Sequence, residues 1–310
     1  MKYFHNQNCH FPNPVVTMGT FDGLHLGHQK LLNELVKRAR EINGEAVVIT
    51  YYHHPLETIY RNPFPYLLTE IDTREKMFRQ LGINCLLYLN FTHEMAEMEP
   101  LDFLQNVLYK EIKPREFVIG YDTHFGKNRQ GNYNFLKQYA EELGYSVDII
   151  EPFRLNGKIV SSSWCREYIR AGRVEELPAI LGRYYSLTGT VVHGNRIGHQ
   201  LGFPTINLQW HDANKLIPKT GIYLSRVMLN DKKYWGVTNI GYRPTVIDKS
   251  DLTVETYILD FQQDVYGLEA TITFEQLIRP EYKLKNRTEL KKYISNDITE
   301  ARKIIAEREA

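Results

Sequence analysis

The pattern of apolar residues changes once along these 310 residues, near Leu181-Gly182, and that change limits the chain to two folded parts of different class. Before it, short β-branched runs alternate with amphipathic helical stretches. Val15–Met18, Ala46–Tyr51, Cys85–Asn90, Phe117–Gly120 and Ser146–Ile150 read as strands. Between them Lys30–Arg40, Arg74–Leu81, Leu101–Glu111 and Asn134–Leu143 read as helices, the first with Leu31, Leu32, Leu35 and Val36 on one face. Such alternation predicts an α/β domain, a parallel sheet with helices on both faces. A last helical segment runs from about Cys165 to Ala171 and stops at Gly172. After Gly182 six strands follow, over Tyr185–His193, Thr205–Leu208, Gly221–Leu229, Lys233–Asn239, Thr253–Asp260 and Ala270–Leu277. With no helix between them and Gly, Pro and Asp at the turns, they predict a closed or nearly closed antiparallel β-barrel, finished by a C-terminal helix over Glu289–Arg308. The expected domains are 1–182 and 183–310.

Charge removes several classes of function. Lys plus Arg total 38 against 37 Asp plus Glu, giving no cationic field to hold a nucleic acid or an anionic membrane. The balance is 20 basic against 22 acidic residues up to Gly182, and 18 against 15 beyond it, so neither part reads as a polyanion binder. Met1 to Pro14 is polar and broken by His, Asn and Pro, which fits no secretory leader, and no later apolar run approaches transmembrane length. The expected address is the cytoplasm. Cys9, Cys85 and Cys165 are odd in number, widely spaced and form no C-x-x-C pair, so reduced thiols are expected.

The first chemical signal follows the first strand. Gly19-Thr20-Phe21-Asp22-Gly23-Leu24-His25-Leu26-Gly27-His28 leads straight into a helix. Gly19, Gly23 and Gly27, with Phe21 among them, let backbone approach a ligand, while the helix start turns free N–H groups and a positive dipole end toward an anion. His25 and His28, three apart, can face one point and donate to phosphate oxygens. Two ordinary surface histidines in a Gly-containing turn are the plain alternative; the strand–turn–helix setting favours the phosphate site. Zinc would need a third ligand, and no further His or Cys cluster has metal-ligand spacing.

H-x-G-H opening a Rossmann-like unit resembles the nucleotidylyltransferase superfamily, whose second mark is an S-S/T-x-x-R segment near the end of the domain. Ser161-Ser162-Ser163-Trp164-Cys165-Arg166 looks like it. Arg166, beside three hydroxyls at a helix start, could clamp the β- and γ-phosphates that depart as pyrophosphate; a Ser N-cap with a solvated Arg is the alternative. The chemistry implied is attack by a substrate phosphate on the α-phosphate of ATP, driven by positioning and electrostatics, with Mg²⁺ bridging phosphates.

In the second part four of the fourteen residues from Gly189 to Gly202 are glycine, and Gly194, Gly198 and Gly202 could wrap phosphates with backbone N–H groups. The run lacks G-K-[ST]. Phe203-Pro204-Thr205-Ile206-Asn207 comes next, placing the Thr205 hydroxyl and the Asn207 amide two apart on one strand face, where both could ligate Mg²⁺. An ordinary turn into a barrel strand has the same appearance.

Both motifs, in this order, resemble the prokaryotic-type bifunctional FAD synthetase, riboflavin kinase joined to FMN adenylyltransferase. The similarity runs from about Val15 to about Ile305. It includes Gly120-Tyr121-Asp122-Thr123-His124-Phe125-Gly126, similar to G-x-D-x-x-F-G, and Gly221-Ile222-Tyr223. It also includes Asn239-Ile240-Gly241-Tyr242-Arg243-Pro244-Thr245, Val254-Glu255, Leu259-Asp260-Phe261 and Asp264-Val265-Tyr266-Gly267. The resemblance implies a C-terminal riboflavin kinase in which Thr205 and Asn207 hold Mg²⁺ and ATP phosphates. Glu255 would be general base toward the ribityl 5′-hydroxyl. A strand carboxylate is firmly held and suited to that proton, although a cross-strand ion pair with Lys or Arg is the competing role. It further implies that Asp122 and Asn239 contact flavin or nucleotide, a loop cap being the alternative role for Asp122, and that the first domain adenylylates FMN.

Two departures stand out. The family shows an aromatic, an acidic residue, Pro, His and Pro after the second strand; Tyr51-Tyr52-His53-His54-Pro55 keeps only His-Pro. Trp164 replaces a basic residue at the first x of S-S/T-x-x-R. The expected partners are small molecules (riboflavin, FMN, ATP), with no nucleic acid and no membrane, acting on a monomer or weak oligomer.

Overall fold

The computed structural model describes residues 2–4, 11–59, 66–194, 197–242, 252–282 and 287–309. Cys9, Asn195–Arg196 in the glycine run and Arg243–Thr245 lie outside them. Two compact units divide the chain, Met1–Ser162 and Ser163–Ala310.

The first unit is built on six parallel strands: β1 (Lys2–Phe4), β2 (Val15–Met18), β3 (Ala46–Tyr51), β4 (Cys85–Leu89), β5 (Glu116–Gly120) and β6 (Ser146–Ile150), in the order β1-β4-β3-β2-β5-β6. Alternate residues serve opposite faces. Val15, Ala46, Val48, Leu86 and Val118 pack under α1 (Leu26–Glu41) and α2 (Ile71–Gln80). Val16, Met18, Val47, Ile49, Leu87 and Phe117 pack under α3 (100–112) and α4 (Tyr133–Leu143). Both faces are buried, as parallel sheets require. The strand assignments hold to within a residue of each end. β1 escapes a pattern-based reading because an edge strand needs only its backbone to pair.

Helix α1 starts at Leu26 rather than Lys30, because the His25 side chain caps it by accepting the His28 N–H. Imidazole is not among the usual capping groups, so the signal is missed. α3 begins on Pro100 and ends where Lys113 turns left-handed at φ 50°. Its middle, Phe103–Tyr109, widens to a π-helical turn that buries Phe103, Leu104 and Leu108.

The order of strands opens a crevice beside β2. The chain runs from β2 outward through β3 and β4, then returns to the other side of β2 as β5. β2 and β5 pair only at Val15–Glu116 and Val16–Phe117, and their carboxyl ends then part. Crevices at such switch points take ligands in open α/β sheets.

In the second unit, β9 (Tyr185–Val192), β10 (Thr205–Trp210), β11 (Gly221–Leu229), β12 (Lys232–Tyr242), β13 (Leu252–Ile258) and β14 (Glu269–Pro280) close into an antiparallel barrel in the order β10-β13-β12-β11-β14-β9; β7 and β8 are the two-residue strands Arg154–Leu155 and Lys158–Ile159 of a small hairpin in the first unit. A hydroxyl chain runs through the barrel interior, Ser225 to Thr238 at 2.6 Å and Thr238 to Thr256 at 2.8 Å. Outside, Ile222, Leu224 and Val237 are covered by Ala301 and Ile304 of the C-terminal helix, here α6 (Arg287–Glu309), α5 being Ser162–Ala171. Arg279 of β14 grips Asp297 of α6 with two bonds of 2.7 and 2.8 Å.

The compact units part before the boundary expected at Gly182. Residues after Ser162 go with the barrel because Val174, Leu177, Ile180 and Leu181 are apolar and buried, and the Lys219 N–H donates to the Ile169 carbonyl of α5. Gly182, at φ 72°, ends the short helix Pro178–Leu181 just before β9.

Candidate active site

The turn after β2 is tight and strained. Phe21, Gly23 and Leu24 all sit at positive φ (50°, 87° and 41°), a cost of about 1–3 kcal/mol for each non-glycine that the surroundings must offset. Those surroundings are specific. The buried Asp22 carboxylate accepts the N–H groups of Leu68 (2.9 Å) and Thr69 (3.1 Å), and the Asp22 carbonyl accepts the Ser162 hydroxyl at 2.8 Å. From the other side the buried Arg74 donates to the Thr20 carbonyl at 3.0 Å and to the Tyr51 carbonyl at 2.8 Å. Neither residue is singled out by motif reading. The available signal for Arg74 is its phase, four residues from the fully buried Phe78 on the same face of α2.

His25 and His28 come together as expected. Their rings stack at 3.7 Å with 18° between planes, and Phe21 meets His28 edge-on at 5.2 Å. His25 Nδ1 accepts the His28 N–H at 3.3 Å, so the neutral His25 ring carries its proton on Nε2. Burial, with His25 close by, holds the His28 imidazole well below the usual histidine range. A Cβ on Gly27 would lie 3.1 Å from the His25 ring, so the small residue lets that ring close over the helix start. The two imidazoles and the N-terminus of a 16-residue helix can together donate to phosphate oxygens.

Ser161 and Ser162 lie in this unit, partly buried, Ser162 being bonded to the turn through Asp22. Ser163 and Arg166 follow on α5 in the second unit, Ser163 exposed and Arg166 partly buried. Asp122, exposed, stands just past the end of β5, the strand beside β2 at the switch point. Its motif is explained by packing: Phe125 stacks on Phe103 at 5.4 Å, and a Cβ on Gly126 would reach Pro100 Cα at 2.8 Å.

The second site is on the outer wall of the barrel, under α6. Glu255 on β13 is in register with Asn207 on β10 and with Asn239 on β12, so the three form one row across adjacent strands. The two cross-strand neighbours of Glu255 are therefore amides. A cleft of about 240 Å³ gathers Gly198, Phe203, Thr205, Asn239, Glu255 and Tyr257. Asn207 is buried beside it, in space that only a glycine at 194 leaves open. Gly198 approaches the Phe203 carbonyl to within 2.5 Å of a would-be Cβ, and Gly202 turns at φ 89°. Glu281 also lines the cleft, and burial pushes its carboxyl up from the usual range; nothing in the motifs points to it.

Thr205 and Asn207 offer neutral oxygens, and Glu255 a carboxylate, in one patch. That is the hard donor set Mg²⁺ takes when substrate phosphates and water complete its shell. Among the described residues there is no group of three or more His, Cys, Asp or Glu placed to hold a metal alone. No helix among them is long and apolar enough to cross a membrane.

A turn carrying two stacked histidines at a switch point, followed by a barrel whose cleft holds Asn239 and Glu255, fits a two-domain transferase of the H-x-G-H class. The comparisons specify which one. The family model for FAD synthetase matches residues 8–164 and that for riboflavin kinase residues 181–305. A bifunctional riboflavin kinase/FMN adenylyltransferase from Listeria monocytogenes is 33% identical over 96% of this chain and 94% of its own length. Those of Bacillus subtilis and Escherichia coli are 32% and 30% identical, each covering 93% of this chain and 91% of its own length. A crystal structure described as a macrolide-efflux protein from Streptococcus pneumoniae superposes with a TM-score of 0.84 at 29% identity, covering 94% of both chains. The chain belongs to the bifunctional riboflavin kinase/FMN adenylyltransferase family.

Proposed function

We propose that the two activities of this family are divided along the chain, with residues 183–310 phosphorylating riboflavin to FMN and residues 1–182 adenylylating FMN to FAD. The observation that supports this most directly is the presence of two separate donor sets, the stacked histidines at the switch point and the Asn207–Glu255–Asn239 row on the barrel.

In the kinase, Glu255 accepts the proton of the ribityl 5′-hydroxyl as that oxygen attacks the γ-phosphorus of ATP and ADP leaves. Thr205 and Asn207 would hold Mg²⁺, which when bound would draw charge from the phosphate oxygens. Gly194, Gly198 and Gly202 shape the loop against the phosphates, and Asn239 contacts flavin or nucleotide from the same row. In the adenylyltransferase, the FMN phosphate attacks the α-phosphorus of ATP and pyrophosphate leaves. His25, His28 and the start of α1 donate to the oxygens where charge grows, with Gly19, Phe21, Gly23 and Gly27 shaping the turn. Ser161, Ser162, Ser163 and Arg166 hold the departing pyrophosphate, and Asp122 orients nucleotide or flavin. A cytoplasmic address and a monomer or weak oligomer belong to the same reading.

Incubating the protein with riboflavin, ATP and Mg²⁺ and separating the flavins tests this. FMN followed by FAD is the expected product sequence. FMN alone would leave the first domain a nucleotide-binding module without chemistry.

A further inference from the structure

We infer that Arg74 is a positioning residue of the adenylyl-transfer site, a buried cation that holds the phosphate turn from behind and lends it positive charge. The inference rests on reading that turn as the adenylyltransferase site.

A guanidinium that is only 4% exposed needs partners for its charge as well as its hydrogens. Arg74 has hydrogen-bond acceptors, the carbonyls of Thr20 and Tyr51, but among the described residues no carboxylate stands within ion-pair distance, and its Nε has no acceptor. The acidic groups that feel it are committed to other donors. Asp22 accepts the Leu68 and Thr69 N–H groups, and Glu75 accepts the Tyr88 hydroxyl at 2.8 Å. Burial accordingly lowers the Arg74 pKa, with Tyr88, Asp22 and Glu75 opposing the shift, yet an arginine remains charged. Asp22 and Glu75 offset part of this charge without touching it, and an anion bound at the turn takes the remainder.

The bond to Thr20 says where. Thr20 lies inside the turn, and no peptide of the described chain is cis. Fixing the Thr20 carbonyl toward Arg74 therefore sends the Phe21 N–H in the opposite direction. That N–H has no acceptor among the described residues. A carbonyl that would repel phosphate is thus turned inward, and a donor is turned away from it. The second bond, to Tyr51 at the end of β3, ties the same guanidinium to the neighbouring strand, so the turn cannot rotate without breaking both. The ligand served is a polyphosphate, with inorganic pyrophosphate as its smallest probe.

The test uses full-length Arg74→Met and Arg74→Lys, with riboflavin phosphorylation in the same preparation as internal control. Three quantities are read: pyrophosphate affinity by calorimetry, and kcat and KM for ATP in FAD formation from FMN. Arg74→Met should weaken pyrophosphate binding and raise KM by at least about tenfold, the scale of a hydrogen bond to a charged group, while FMN formation is unchanged. Arg74→Lys keeps the charge but cannot span both carbonyls. It should bind pyrophosphate near the wild-type level and still lose about tenfold in kcat. Pyrophosphate affinity unchanged in Arg74→Met, or lost as fully in Arg74→Lys, overturns the inference. If Arg74→Met fails to fold, Arg74→Lys decides alone: tenfold weaker pyrophosphate binding or wild-type kcat defeats it. A wild-type protein that forms no FAD would instead defeat the adenylyltransferase reading, and the pyrophosphate measurement would still judge the anion role.

Discussion

The imidazoles of His25 and His28 stack at 3.7 Å, and one caps the helix on which the other rides. Two cationic rings could not be held this way, so at least one is neutral in the resting protein, and burial makes it His28. That state has a stability consequence. A histidine whose folded pKa is depressed binds more protons unfolded than folded, so stability is complete above the ordinary value near 6.5 and falls as pH drops below it. Urea midpoints of the first unit should therefore decline on acidification below about pH 6.5. His28→Gln should flatten that slope, and an unchanged slope would show that His28 is not buried neutral.

The same pair separates the two reactions. His28→Ala should lower FAD formation from FMN by about 10²-fold or more, the usual worth of a preorganised donor at developing charge, and leave FMN formation intact. Flavin chromatography reads both from one incubation. Equal loss of both products would contradict the division of labour.

Glu255→Gln should do the reverse. It keeps the shape of the side chain between Asn207 and Asn239 but cannot take a proton, so riboflavin phosphorylation should fall by about 10²- to 10⁴-fold. With FMN supplied, FAD should form at the wild-type rate. A kinase that survives the change would return Glu255 to a structural role.

How much of this was readable from the residues depends on distance along the chain. The five longer strands, the helices and the barrel came from local periodicity, and the two histidines and the amide–carboxylate row came from short motifs. What stayed hidden are bonds to backbone across long separations. Asp22 reaches Leu68, 46 positions away, and Arg74 reaches Thr20 across 54. No local pattern marks such partners, because their acceptors and donors are peptide groups that every residue has. The cleft has the same character: its inner wall is strands, but its cover is α6, whose apolar contacts come from the far end of the unit. The compact units part ahead of Gly182 for a related reason. Gly182 is a local stop, whereas the packing that unites Val174 and Leu177 with the barrel is tertiary.

Gly194 gives a steric test of the barrel site. A Cβ there would overlap the Asn207 carboxamide, and Gly194 is not held at a positive φ, so the backbone itself tolerates alanine. Gly194→Ala must displace Asn207, an overpacking change of about 1–3 kcal/mol. The expected result is a raised KM for ATP and a higher Mg²⁺ requirement in FMN formation, with FAD formation from FMN unaffected. A wild-type KM would remove Asn207 from the nucleotide site.

Arg279 and Asp297 test the cover of that site. They form a two-bond ion pair from β14 to α6, both line the cleft, and the Asp297 side chain is only 7% exposed. Asp297→Ala leaves a largely buried guanidinium without its carboxylate, a loss of about 3–5 kcal/mol for a broken buried pair, reduced by the partial exposure of Arg279. Tyr282 and Tyr293, 5.0 and 5.2 Å from that guanidinium, offset part of it. The second unit should melt at a lower temperature and its kinase should bind riboflavin more weakly, because α6 is no longer pinned across the cleft. The double variant Arg279→Met/Asp297→Leu removes the charge and restores apolar contact, so it should recover much of the stability. Recovery of stability without recovery of riboflavin binding would show that the ion pair acts on the ligand as well as on the helix; recovery of both would assign it to holding α6 in place.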